Sequence, residues 1–220
     1  MPKISMSVPQ EILDKLGIDH RKAASLLKEQ ILKLSETIGK ISYNENVLIK
    51  LSMKLYNDIN SLEQKIMDKG MSEITVIDFA QVISDIEILY EMIKGQAITP
   101  IEKNVLKYIE SQIKNIKNIL ENKHKLLIKI EHLKAKYNIK EYEKSILTFE
   151  NSIKQDILLE TLKLSTLILA YVTGLVQLLT IIREGLKTTN QELFELLNNL
   201  NEKLEEKSSQ KEEVINDIYT

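Results

Sequence analysis

The chain has no cysteine and no tryptophan, and its 220 residues include only 3 phenylalanines, 6 glycines and 3 prolines. Without cysteine there are no disulfides, thiolate metal sites or cysteine nucleophiles, and the redox compartment stays open. So few glycines and prolines leave too little turn chemistry for a β-rich or α/β fold of this length. Large aromatic rings usually supply much of the buried area of a wide globular core. Here the hydrophobic 43% is dominated by isoleucine and leucine, which suit helix–helix seams. The opening MPKISMSVPQEILDKLG has no apolar run of signal-peptide length, so a classical secretory route is not expected, and the location is cytoplasmic or membrane-associated.

Charge of one sign is also lacking. The 30 basic and 32 acidic residues leave a formal net charge of −2, which argues against nucleic-acid binding by the chain as a whole. The distribution is uneven. Ile101 to Lys144 carries 11 Lys against 6 Glu, and Gln191 to the end carries 3 Lys against 8 acidic residues. The two stretches are complementary and can pair in a bundle or between subunits.

What is present is helical periodicity. Lys3 to Val8 alternate polar and apolar, the pattern of a short strand or extended arm, and Pro9 opens a short helix that stops at Gly17. Asp19 is placed to cap a long helix whose seam runs through Leu27, Ile31, Leu34, Ile38, Ile41, Leu48, Leu55, Ile59, Leu62 and Ile66, interrupted only by Glu45 and Ser52. It should end at Gly70, after about 50 residues and roughly 75 Å. Ser72 can cap a second helix ending at Gly95, so residues 19–95 form an antiparallel hairpin. Thr99-Pro100-Ile101-Glu102 reads as a capping box with proline at the first helical position. The helix after it carries Leu106, Ile109, Ile113, Ile116, Leu120, Leu127, Ile130 and Tyr137, with a break expected near Tyr137-Asn138, although no proline or glycine enforces one and a continuous helix stays open. Helical character resumes at Glu141 and persists to Glu206, so residues 99–206 hold long helices and 207–220 a polar, fraying tail.

The sharpest feature is an uncharged run of 19 residues, LSTLILAYVTGLVQLLTII, from Leu164 to Ile182 between Lys163 and Arg183. It is close to the length that crosses a bilayer as a helix. Three readings stay open: a bundle helix buried on all sides, a transmembrane helix, or a membrane segment hidden in a soluble form and released on assembly. In the membrane readings Leu164, Leu167, Ile168, Leu169, Val172, Leu175, Val176, Leu179 and Ile182 supply the apolar surface.

Long amphipathic helices with one apolar segment resemble, in architecture only, the cytolysin-A-like α-helical pore-forming toxins. That resemblance implies insertion through 164–182. The chain departs from the class in lacking a Gly/Ala-rich hairpin, with only Gly174 and Gly185 in this region. The N-terminal KISMSVPQEILDKLGIDHRKAASLLKEQI resembles the ribbon-helix-helix DNA-binding family. The resemblance implies that Lys3, Ser5 and Ser7 face the bases and that the amides near His20 and Arg21 grip phosphate. That family's second helix is short, whereas this one runs on, and residues 1–95 carry 12 basic against 14 acidic side chains.

Nothing points to catalysis. His124 and His132 lie eight residues apart, about 12 Å of helical rise, too far for one metal without other ligands. Glu121-Asn122-Lys123-His124 is a Glu-x-x-His string of the kind di-iron bundles use, but there is no second one. A Gly-rich phosphate loop and a serine-nucleophile context are both missing. The expectation is an elongated all-α bundle of long antiparallel helices with coiled-coil seams and an N-terminal strand or arm, not an enzyme and without a cofactor. It should work as a homo-oligomer or with a helical partner, with a membrane as a further partner and nucleic acid less favoured. The alternatives are a DNA-binding head on a helical stalk and a purely structural coiled-coil subunit.

Overall fold

The computed structural model describes residues 19–95, 100–137 and 142–219, of which 97% are helical, and no strand occurs among them. The all-α class is therefore as the sequence predicts. The proposed arm and short helix of residues 1–18 lie outside the described residues. Four long helices follow in order: α1 (His20–Lys69), α2 (Val76–Lys94), α3 (Pro100–Lys136) and α4 (Glu143–Tyr219).

Local chemistry explains most of the boundaries. The Asp19 carbonyl accepts the first helical bond, from the Ala23 N–H at 2.9 Å, which is the N-cap position. α1 stops where Gly70 turns to φ 83°, a left-handed conformation that a Cβ would disfavour. The start of α2 differs from the sequence expectation. Ser72 falls in a 3₁₀ turn, Met71–Glu73, and the cap is Thr75. The Asp78 carboxylate accepts bonds from the Thr75 N–H at 2.7 Å and its hydroxyl at 2.8 Å, the reciprocal half of a capping box. Asp at this position serves as Glu or Gln usually does. α3 begins at Pro100 as predicted; Thr99 lies outside the described residues. It ends at Lys136, with the Tyr137 N–H still bonding to the Leu133 carbonyl at 3.0 Å. α4 continues past Glu206 to Tyr219, so the polar tail is helical rather than frayed to coil.

The chain divides into two compact units. One is Asn46–Gln177. In it the C-terminal part of α1, the whole of α2 and α3, and the N-terminal part of α4 pack with successive helices antiparallel. The cross-links show the direction: Lys65 to Asp78 at 2.8 Å and Lys54 to Asp85 between α1 and α2; Lys117 to Glu87 at 2.8 Å and the Tyr90 hydroxyl to Glu110 at 3.2 Å between α2 and α3; Lys123 to Asp156 at 2.8 Å and Lys134 to Glu150 at 2.6 Å between α3 and α4. Lys154 closes the set by donating to the Ser72 carbonyl at 2.7 Å. The core holds Leu48, Leu55, Ile74, Phe79, Ile86, Leu89, Ile93, Ile109 and Ile168, all essentially inaccessible. Each such side chain contributes roughly 1.5–3 kcal/mol by burial. Leu48, Leu55 and Ile109 among them are residues the helical period marks in the sequence.

The described residues before Asn46 and after Gln177 form the other unit. Here α1 and α4 lie antiparallel as a pair. Ala23 packs with Leu200 and Leu27, the Asn190 amide donates to the Ser35 hydroxyl at 3.1 Å, and Arg183 meets Glu45 at 2.7 Å. Within this unit the neighbour of α1 is α4.

Candidate functional site: the uncharged run of α4

Helical geometry splits the run 164–182 into two faces. Leu164, Ile168, Val172 and Leu175, spaced by four, four and three residues, are buried. Leu167, Leu169, Val176 and Leu179 are half-buried, and Ile182 is exposed. Ala170, Thr173, Gly174, Gln177 and Leu178 are exposed as well, and Ile181 stands 70% accessible. α4 is the one described helix that is long and apolar enough to cross a membrane, yet only 22% of its apolar window is buried. The expectation of a helix buried on all sides fails for this reason: neighbours cover a single stripe.

The polar residues of the run are largely satisfied by the helix itself. The Thr166 hydroxyl donates to the Leu162 carbonyl at 2.9 Å and the Thr173 hydroxyl to the Leu169 carbonyl at 2.8 Å. Buried Ser165 of the run and buried Thr161 just upstream do the same toward the Thr161 and Ile157 carbonyls, each at 2.8 Å. Such i−4 bonds cut the cost of taking a hydroxyl out of water. Gly174 and Gly185 have open space where a Cβ would stand, so neither is a point of close helix approach.

At the end of the run sits a buried charge. Glu45 is 3% exposed, accepts a hydrogen bond from the Thr180 hydroxyl and pairs with Arg183. In the sequence Glu45 was an interruption of an apolar seam; the structure shows it partnered by one of the chain's two arginines. Its signal was available: a lone acid at a seam position and a lone arginine closing an uncharged run.

A second charge cluster was not foreseen. Asp85 lies among the buried residues of α2, 4% exposed, and bonds to Lys54, which also holds Asp58 at 3.3 Å. Burial, reinforced by neighbouring Asp58 and only partly offset by Lys54, raises the Asp85 carboxyl above the usual range. Asp58 moves the other way, held down by its hydrogen bonds to Asp85 and Lys54. Burial, together with Glu110, pushes the Tyr90 hydroxyl up to about 12, so it stays a donor to that carboxylate at any physiological pH.

Of the residues of the DNA-binding resemblance, only His20 and Arg21 are among the described residues. Lys3, Ser5 and Ser7 lie outside the described residues, His20 is buried at the start of α1, and Arg21 beside it is exposed. His124 and His132 are both exposed on α3, and among the described residues no three metal-ligating side chains converge. No family of known proteins, no curated protein and no solved structure matches the chain. The site therefore has to be read from its own chemistry.

Proposed function

We propose that this is a non-enzymatic helical assembly protein that associates with membranes through the 164–182 segment of α4. One observation carries the reading: the longest uncharged run in the chain leaves one whole face, eight of its 19 residues, exposed. A contiguous apolar surface on a soluble protein marks an interaction site. The exposed face holds Ala170, Gly174, Leu178, Ile181 and Ile182 together with Gln177 and with Thr166 and Thr173, whose hydroxyls are already bonded along the helix, a mixture that suits the interfacial boundary of a bilayer.

The test is flotation of the detergent-free protein with liposomes, against an Ile181→Lys variant. Ile181 is 70% exposed, so lysine there leaves the packed stripe untouched and circular dichroism should be unchanged. Wild type should float and the variant should stay at the bottom. A wild type that remains at the bottom as a defined oligomer sinks the membrane reading.

That outcome would favour a second reading, a purely structural coiled-coil subunit. It is supported by the Glu45–Arg183 pair, a buried ionic contact of the kind that fixes register in helical assemblies. A DNA-binding head draws no support from the described residues.

A further inference from the structure

α3 carries an unusual outer face. Lys103, Lys107, Lys114, Lys125, Lys129 and Lys136 are spaced by four, seven, eleven, four and seven residues and are all exposed. At 100° per residue they fall within an arc of about 80°, opposite the buried Leu106, Ile109, Ile113 and Ile116. Lys114 and Lys125 pair only with glutamates of their own helix, Glu110 at 3.1 Å and Glu121 at 2.7 Å. Lys103, Lys107, Lys129 and Lys136 make no ion pair among the described residues. Beside the stripe, Tyr108, Leu126 and Leu133 are exposed.

α4 carries the counterpart. Glu192, Glu195, Glu202 and Glu206, spaced by three, seven and four, are exposed within an arc of the same width, turned away from the packed Leu197 and Leu200. None of the four makes an ion pair among the described residues, and exposed Phe194 stands about 80° round the helix from the nearest of them.

We infer that these two stripes are the complementary halves of an interface between copies of this chain: the glutamate stripe of α4 in one copy seats along the lysine stripe of α3 in another. The inference rests on the assembly half of the function proposed above and is independent of the membrane half. The heptad steps favour a helical partner over a lipid surface, because a fluid anionic surface asks for positive charge but not for spacing. The partner's chemistry, an acidic helix with heptad steps and an apolar flank, is supplied by the chain itself. Glu192 to Glu206 spans about 21 Å, a little more than the roughly 17 Å from Lys125 to Lys136, so the C-terminal part of α3 and its Leu126 and Leu133 flank match it in length. Opposite charge at such a surface sets partner and register and makes association salt-dependent.

A charge swap tests this. Variant one is Lys129→Glu with Lys136→Glu; variant two is Glu195→Lys with Glu202→Lys. All four positions are exposed, so both variants should keep wild-type helicity. Sedimentation velocity at low ionic strength should show wild type self-associating and dissociating as salt is raised to about 0.5 M. Each variant alone should associate more than tenfold more weakly, since like charges now face each other. An equimolar mixture of the two should regain association, because each supplies the stripe that the other requires. If wild type is monomeric at all concentrations and salts, the assembly reading fails and this inference with it. If wild type assembles but both variants assemble equally well, assembly stands and the stripes are not its interface. If variant one loses binding to anionic vesicles while its self-association is unchanged, the stripe is a lipid surface and the inference is refuted.

Discussion

Arg183→Met removes the one cation that pairs with Glu45 among the described residues. The carboxylate is 3% exposed and fixed between α1 and α4, so it cannot reach bulk water without local unpacking. Breaking one side of a buried pair costs about 3–5 kcal/mol, because a desolvated charge is left alone. Arg183 keeps 24% of its side-chain surface, and the Thr180 hydroxyl still bonds the carboxylate, so the lower end applies, about 3 kcal/mol. Replacing both partners, Glu45→Leu with Arg183→Leu, should be neutral or stabilising by about 1–4 kcal/mol. Urea denaturation followed by circular dichroism measures both.

The double variant should lose something stability does not report. With Glu45 replaced, the α1 seam has one fewer position that distinguishes one heptad from the next, and a slip of seven residues becomes cheaper. A chain without cysteine makes this easy to read. Cysteines at Ser35 and Asn190, whose side chains touch at 3.1 Å, should cross-link in the native background. Cysteines at Ser42 or Lys28 with Asn190, one heptad away on either side, should cross-link only when Glu45 and Arg183 are both leucine. If Arg183→Met costs under about 0.5 kcal/mol, or if the double variant holds a single register, the pair is not a register pin.

Three further outcomes follow from the packing. Burial works to raise Asp78, but Lys65 and the Thr75 donors outweigh it and hold its carboxyl below the usual value. Its stabilisation is therefore present above the unfolded pKa and lost as pH falls through the folded one. Asp78→Ala should cost about 1–2 kcal/mol near neutrality, and the gap to wild type should close as melts are repeated toward about pH 3. Asp85 has the opposite sign: its raised folded value contributes stability below the unfolded pKa that is lost as pH rises through the folded one. Asp85→Asn, which removes a buried charge beside Asp58, should at pH 7 leave stability unchanged or raise it by up to about 1 kcal/mol, and a loss larger than that would refute the assignment. Ile168→Ala should cost about 2–5 kcal/mol in the same melts, whereas Ile181→Ala should stay within about 0.5 kcal/mol, and equal losses would mean that the run packs differently.

The helices were legible because aliphatic periodicity, capping chemistry and breakers agree. Leu48, Leu55, Ile109 and Ile113 fall on the core face the period predicts, and Pro100 starts its helix where expected. Ser72 misled because two capping residues stand close together, Ser72 and Thr75, and only an acid three residues on decides between them. Thr75 has Asp78 at that spacing. The division into two units was not legible for a different reason. α1 and α4 run through it without a break, and no glycine, proline or composition shift marks Glu45–Asn46 or Gln177–Leu178. What changes there is the identity of the neighbouring helices, a tertiary fact with no local signature.

The candidate site shows the same limit more sharply. Hydropathy sums over all sides of a helix, so the run 164–182 looked the same whether every side, one side or no side was covered. Resolving it by face gives a different object: a buried stripe of Leu164, Ile168, Val172 and Leu175, and an outward surface ending at Ile181 and Ile182. Charge behaves likewise. The excess of lysine before Lys144 and of acid after Gln191 was countable from the sequence. Only the structure shows that Lys117, Lys123 and Lys134 pair with packed neighbours while Lys103, Lys107, Lys129 and Lys136, and Glu192, Glu195, Glu202 and Glu206, lie on outward stripes. Both the apolar face and the two charged stripes are surfaces on which the intrachain contacts leave the chemistry unfinished. The proposed assembly function requires surfaces of this kind.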